Sequence, residues 1–327
     1  MEFRTLGKTG FEISEISLGT WQVGGKWGAP FDHDNADRIL NTAVDQGVNF
    51  IDTADVYGGG ESEKAVGRLV RSRREKIYVA TKCGRQISPH INENYNPLVL
   101  RQYVEASLKN MDLERIDLIQ LHCPPTQVYY RPEIFAEFEK LIQEGKIHKL
   151  GVSVEKVEEA LKAIEYPHVD TVQIIFNIFR QRPAGLFFEQ ARQKNIGVIV
   201  RVPLASGLLS GKYDRQTSFQ EGDHRHFNRD GAAFDKGETF SGVNYELGLK
   251  AVEDLKGIFP DQNLARVAIK WVLMHPEVSC VIPGASRPEQ VTANLQAETL
   301  PPLTDTQMAL ARKVYDERIR PEVHHLW

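Results

Sequence analysis

The sequence predicts a closed barrel of eight parallel strands, each followed by a helix, on three observations. Short β-branched or aromatic runs alternate along the whole chain with helical stretches of ten to fifteen residues. The alternation repeats eight times, the number at which such a sheet closes on itself. The first strand runs into LGTWQVGGKWG, which lacks the Gly-x-Gly-x-x-Gly turn expected of an open, doubly wound sheet.

Taken in order, residues 3–13 read as a small opening hairpin. The strands follow at 16–18, 49–52, 77–81, 117–121, 149–152, 171–176, 198–202 and 279–282. Between them lie amphipathic segments such as DNADRILNTAVDQG, with an N-cap aspartate or asparagine at one end and Gly47 at the other. ESEKAVGRLV, VLRQYVEASLKNM, EIFAEFEKLIQEGK, KVEEALKAI, FFEQARQKN, LARVAIKWVLMH and PEQVTANL complete the eight helices. Two stretches break the repeat. Residues 204–242, after the seventh strand, are long, rich in Gly, Ser, Asp and Arg, and without a sustained period, as a functional lid or loop would be. From Thr304 an extra helix, TDTQMALARKVYDERI, lies beyond the eighth unit and ends in the polar tail RPEVHHLW. No linker divides the chain, so residues 1–327 are expected to form one barrel domain.

Composition narrows the function. Hydrophobic residues make up 41% and charged residues 26%, and the net charge of −4 comes without any basic run, so no nucleic-acid partner is expected. Apolar stretches are strand-length, so no membrane partner is expected either. Cys83, Cys123 and Cys280 have no close pairing and read as free thiols, which suits the cytoplasm. His324 and His325 with Glu322 lack further ligand spacing, so no metal is expected.

In a barrel, catalytic side chains stand where the strands end. Those ends are Thr20 and Trp21, Asp52, Lys82, His122, Ser153, residues 173–177, Arg201, and Gly284 to Ser286. Alternation puts Phe50 with Asp52, Ala80 with Lys82, and Leu118 with Gln120 and His122 on one face of each strand. A carboxylate, an ammonium and an imidazole thus crown three adjacent strands, with Tyr57 five residues past Asp52. A phenol is a poor acid at neutral pH, and a neighbouring cation lowers its pKa by roughly 1–3 units. Lys82 is expected to be that cation, held by Asp52, while His122 positions a carbonyl oxygen. A nicotinamide would complete the set as hydride donor. The same alternation turns Cys83 and Cys123 away from the mouth. Trp21 is expected to wall the substrate pocket together with Tyr57 and His122.

IDTADVYG, ATK, LIQLH and GVS, in this order and spacing, resemble the aldo-keto reductase family over nearly the whole chain. PLASGLLSGKY and IPGASRPEQVTANL extend the resemblance, and the first of these points to the bacterial and potassium-channel-β-subunit-like branch. The resemblance implies NADPH-dependent reduction of an aldehyde or ketone, with Asp52, Tyr57, Lys82 and His122 as the catalytic tetrad. It implies cofactor contacts at Thr20, Trp21 and Asp52. Ser153 and Gln173 would hold the carboxamide, with Val154 in place of a common asparagine. Arg201 stands where an aromatic ring often stacks on the nicotinamide. Leu204, Ser206, Gly207 and Lys212 would wrap the pyrophosphate; Gly284, Ser286, Gln290 and Asn294 would meet the adenosine. Arg287 is an added candidate for the 2′-phosphate.

Other readings of the same residues are a Schiff-base lysine at Lys82, a nucleotide-sensing regulatory module, and a polyol or sugar dehydrogenase run in the oxidative direction. The substrate should be read by Trp21, residues 22–31, residues 123–131 and the tail. Tyr129, Tyr130 and Trp27 would favour an apolar or aromatic carbonyl.

Overall fold

A computed structural model of the chain describes every residue except 26–28, where Trp27 lies. Two short antiparallel strands, β1 (Phe3–Thr5) and β2 (Glu12–Ser14), form the opening hairpin. Eight parallel strands follow: β3 (Leu18–Gly19), β4 (Phe50–Asp52), β5 (Tyr78–Cys83), β6 (Ile116–His122), β7 (Ile147–Ser153), β8 (Val169–Ile175), β9 (Gly197–Arg201) and β10 (Val278–Val281). They neighbour one another in chain order. Parallel bridges Ile16 to Val281 and Gly19 to Gly284 join the last strand to the first, so the sheet is a closed barrel.

The hairpin plugs the bottom. Leu6, Phe11 and Ile13 pack inside the barrel against Phe50, Ala80, Leu118, Ile199, Cys280 and Ile282. Gly7 makes this docking possible: its backbone is left-handed (φ 49°), and a Cβ there would lie 2.1 Å from the Gly197 nitrogen. One layer further up the strands, the inward positions change from apolar to Asp52, Lys82, Gln120 and Gln173, all buried. That change of chemistry along alternating positions marks the functional end of the barrel.

The helices form where caps and apolar stripes predict them. Asp32 caps α1 (His33–Asp45) by accepting from the Asn35 amide, and Asn96 caps the helix Pro97–Met111. One helix escaped the sequence reading. Tyr245–Ile258, capped by Asn244 and burying Leu249, Val252 and Leu255, stands between the seventh and eighth barrel strands in addition to Leu264–Leu273.

Residues 204–242 have little regular structure, as their composition predicts, yet they are well packed. Leu208, Leu209, Phe240 and Asn228 are buried. The Asn228 carboxamide staples the segment, accepting from the Ala233 and Phe234 amides at 2.9 and 3.0 Å and donating to Thr239 at 3.2 Å. The tail is likewise fastened. Its helix Asp305–Val314 begins in a Thr304–Gln307 capping box and widens into a π turn at Tyr315–Ile319 before Pro321. Trp327 is buried, donates to Asp235 at 3.0 Å and lies under the Arg180 guanidinium, so the end of the chain is not the solvated tail its polarity suggested.

Candidate active site

A cavity of about 1010 Å³ opens at the C-terminal end of the barrel. Its floor is a hydrogen-bonded constellation. Lys82 Nζ donates to Asp52 Oδ1, to the Thr53 carbonyl at 2.8 Å and to the Tyr57 hydroxyl at 3.3 Å. The other Asp52 oxygen accepts from Gln173 at 2.7 Å and from Gln120 at 3.0 Å, and these two carboxamides bond each other at 3.2 Å. A buried carboxylate so surrounded has its hydrogen-bonding capacity met without water. Tyr57 reaches the ammonium because the chain reverses directly after it: Gly58, Gly59 and Gly60 all take left-handed φ, of 59°, 64° and 92°. The His122 ring stands edge-on to Tyr57, centroids 6.0 Å apart, and its Nδ1 is buried without a partner among the described residues. Asp52, Tyr57, Lys82 and His122 are therefore brought together as the strand ends predicted.

The electrostatics differ from the expectation on one point. Burial raises the Tyr57 phenol above its ordinary range, outweighing the pull of Lys82, while Asp52 and Glu238 push in the same direction as burial. The phenol is therefore neutral and loaded with its proton, not acidified in advance. For Lys82, burial opposes the charge, but the carboxylate of Asp52 and the Tyr57 oxygen hold its pKa above the usual lysine value. Burial first, then Arg85, Lys82 and Arg201, holds His122 well below the usual histidine range, so its imidazole is neutral.

The remaining expected residues divide in two. Thr20, Trp21, Gln173, Arg201, Leu204, Ser206, Gly207, Lys212, Gly284, Ser286, Gln290 and Asn294 line the cavity. Ser153 is buried behind Gln173, with its hydroxyl 3.5 Å from Gln173 Oε1, and Arg287 stands at the exposed surface near Glu289. Positive φ at Val202, Ala205, Ser206 and Gly207 curls the start of the long segment into a concave run of backbone, a shape suited to anions. Ser286, just before the helix Pro288–Leu295, donates its amide to Gln290 Oε1 at 2.7 Å. A cavity this size, with such a curl on one side and a helix start on the other, fits a dinucleotide.

Arg201 is not a loose surface charge. It donates to Glu155 at 3.0 Å and to the Val154 carbonyl at 3.1 Å, and its other nitrogen lies 3.6 Å from Glu238. Arg85, Glu155 and Glu238, none of them singled out from sequence, join it at the cavity wall. Burial, then Glu155, raises Glu238, whereas Glu155, despite burial, is held below the usual carboxylate range, chiefly by Arg201. Cys123, Glu155 and Glu238 bring possible ligand atoms within 4.8 Å of one another, but Arg201 and Arg85 already neutralise these carboxylates.

Two sequence expectations are corrected. Cys123 lines the cavity instead of turning from it, because its left-handed φ of 46° breaks the strand alternation. Tyr129 is buried, with its hydroxyl on the Ser153 carbonyl at 3.3 Å, and Tyr130 is exposed, so neither makes an aromatic wall. Trp27 lies outside the described residues. Trp21 does face the cavity, under an edge contact with His224 of the long segment at 4.7 Å. The three cysteines are unpaired and buried, and no helix among the described residues is long and apolar enough to cross a membrane.

A closed parallel barrel with a carboxylate–ammonium–phenol–imidazole cluster at its mouth defines an oxidoreductase-like site. Residues 15–316 match the Aldo/keto reductase family, and the chain belongs to it. Among relatives, the aldo-keto reductase YhdN of Bacillus subtilis is 30% identical over 305 residues, 90% of this chain and 87% of that protein. The NADH-specific methylglyoxal reductase of Escherichia coli is 27% identical, covering 94% of this chain and 97% of its own length. The solved structure of a glycerol dehydrogenase from Gluconobacter oxydans superposes with a TM-score of 0.78 at 32% identity, covering 99% of this chain and 96% of that one.

Proposed function

We propose that this chain is an NADPH-dependent reductase of aldehydes or ketones, working as one barrel domain, with Tyr57 as its proton donor. The observation that carries the reading is the Lys82 ammonium. It sits 3.3 Å from the Tyr57 hydroxyl while anchored to Asp52 and the Thr53 carbonyl. NADPH, when bound, supplies the hydride that reaches the carbonyl carbon. Neutral His122 donates a hydrogen bond to the carbonyl oxygen and sets its position against the phenol. The Tyr57 O–H gives its proton to that oxygen as negative charge develops there. Lys82 stabilises the phenolate left behind, and Asp52, fixed by Gln120 and Gln173, keeps Lys82 charged. Water then returns the proton to the phenolate.

The cofactor is proposed to lie with its carboxamide near Gln173 and Ser153, its nicotinamide over Arg201, its pyrophosphate along Leu204, Ser206, Gly207 and Lys212, and its adenosine end at Gly284, Ser286, Gln290 and Asn294. Arg287 would meet the 2′-phosphate. The PLASGLLSGKY segment supports the channel-β-subunit-like branch, and the unpaired cysteines support the cytoplasm. The likeness to a glycerol dehydrogenase favours a second reading, the same site run toward alcohol oxidation with Tyr57 as base. Steady-state assays decide between them: NADPH consumption with a panel of carbonyls against NADP⁺ reduction with glycerol and sugars. Turnover in neither direction would overturn the enzyme reading in favour of a nucleotide-sensing module.

A further inference from the structure

Arg85 follows Lys82 by three residues, just past the end of β5, and lines the cavity. Its two nearest carboxylate oxygens are Glu238 Oε1 at 3.5 Å and Glu155 Oε1 at 3.7 Å, both on the same guanidinium nitrogen. Among the described residues it makes ion pairs at these lengths and no hydrogen bond. The other two guanidiniums of this wall are hydrogen-bonded to the protein: Arg201 to Glu155 and the Val154 carbonyl, and Arg180 to the Glu155 carbonyl, with its plane over Trp327. A planar fork of five N–H donors held only by long ion pairs at an open cavity wall can turn to a ligand without giving up a hydrogen bond to the protein.

The charge around it is balanced rather than acidic. Three guanidiniums, Arg85, Arg180 and Arg201, stand against three carboxylates, Glu155, Glu238 and Asp235. Burial, then the Glu155 carboxylate, pushes Glu238 toward its protonated form. Arg85 shares its cavity with the reacting groups, since Tyr57 and His122 line the same wall space and Lys82 lies three residues before it.

From this we infer that Arg85 reads an oxyanion on the substrate, so that the preferred carbonyl compounds carry a carboxylate or phosphate a few bonds from the reacting carbon. The inference rests on the reductase reading above and names its substrate class. The bidentate fork would hold the anion beside His122 and Tyr57, orienting the carbonyl.

The test compares congeners that differ in the anionic group: butanal with 4-oxobutanoate, and glyceraldehyde with its 3-phosphate. The wild type should favour the anionic member by about tenfold or more in kcat/KM. Arg85→Met should collapse that ratio toward one, and Arg85→Lys should restore part of it. The pair that shows the larger ratio tells carboxylate from phosphate. A wild-type ratio near one in both pairs, or an equal loss on both members in Arg85→Met, overturns the inference. A second measurement does not depend on turnover: calorimetric titration of cofactor-loaded enzyme with succinate and with inorganic phosphate. At least one should bind the wild type and lose about tenfold in Arg85→Met, whose melting curve checks that it is folded. Turnover of no carbonyl with anion binding intact sinks the reductase reading and spares the anion site. Binding of neither anion, or binding indifferent to Arg85, sinks the site and leaves the reductase reading standing.

Discussion

The two walls of the cavity solve the problem of buried charge in opposite ways. On the β4–β6 side one ammonium meets one carboxylate, and the surrounding carbonyl and carboxamides satisfy what remains. On the other wall, drawn from the loops after β5, β7, β8 and β9, three guanidiniums stand against Glu155, Glu238 and Asp235, and among the described residues the Arg201 Nε and Glu155 Oε1 are buried without a hydrogen-bond partner. The Asp52–Lys82 pair of the first wall is complete in itself, which is what a proton-transfer group needs to stay in register. The second is incomplete, and incompleteness at a cavity surface is the mark of a place where ligands finish the hydrogen bonding.

The most damaging way to break the complete wall is Tyr57→Phe. The ring keeps its packing against His122, and only the hydroxyl is lost. Carbonyl reduction in single-turnover measurements should fall by about 10²–10⁴-fold, with NADPH binding nearly unchanged. Turnover at the wild-type rate would reject Tyr57 as the acid.

Lys82→Met attacks the same wall through its charge balance. It leaves the Asp52 carboxylate buried with only Gln120, Gln173 and its surroundings to hold it, so stability should fall by about 3–5 kcal/mol as well as activity. Urea denaturation reads the loss. Adding Asp52→Asn to the lysine variant should recover part of it, because the stranded charge is gone; no recovery would mean that packing, not charge, dominates.

Next in size is a group in the same corner that the pairing does not reach. Asp55 is buried and raised to about 7, by burial first and by the Glu63 carboxylate second. A carboxyl whose folded pKa is raised binds its proton more tightly in the native state. Its contribution is therefore full at low pH and is lost as the pH rises from about 4 to about 7. Asp55→Asn should gain stability relative to wild type on going from pH 5 to pH 8, by at most about 3 kcal/mol. The comparison must be between variant and wild type. Glu238 titrates with the same sign, and His224, lowered to about 4 by burial, titrates with the opposite one. A difference that stays constant across this range would show that Asp55 is ionised throughout.

The complete wall was legible in the sequence and the incomplete one was not, for a physical reason. Asp52, Lys82 and His122 stand on regular strands, where side-chain direction follows from alternation, and their motifs are contiguous. Arg85, Glu155 and Glu238 come from three loops far apart in sequence, and Glu238 lies in a segment with no period to read. Cys123 shows the limit even at a strand end, since one left-handed residue was enough to reverse the inferred direction. The helix Tyr245–Ile258 is a different case. Its Asn244 cap and apolar stripe were present, and the eight-unit count hid it by seeming already full.

The smallest expected effect lies at the outer end of the cavity and concerns NADPH over NADH. The 2′-phosphate carries close to two negative charges, and the cations offered to it are Lys212 and Arg287, with Ser286 beside them. Arg287 is largely exposed and its nearest partner, Glu289, is 3.9 Å away and more exposed still. Exposed pairs are worth little and are screened by salt. Arg287→Ala should therefore weaken NADPH severalfold, up to about tenfold at low ionic strength, and leave NADH nearly unaffected. Ser286 has its amide and hydroxyl turned to Gln290, so its share depends on that carboxamide yielding when a phosphate arrives. The relative described as NADH-specific makes the wild-type measurement informative in itself. Fluorescence titration of both cofactors at low and high salt is the check. Equal affinities in the wild type would overturn the preference. A preference that survives Arg287→Ala at both salt concentrations would move its origin inward to Ser286 and Lys212.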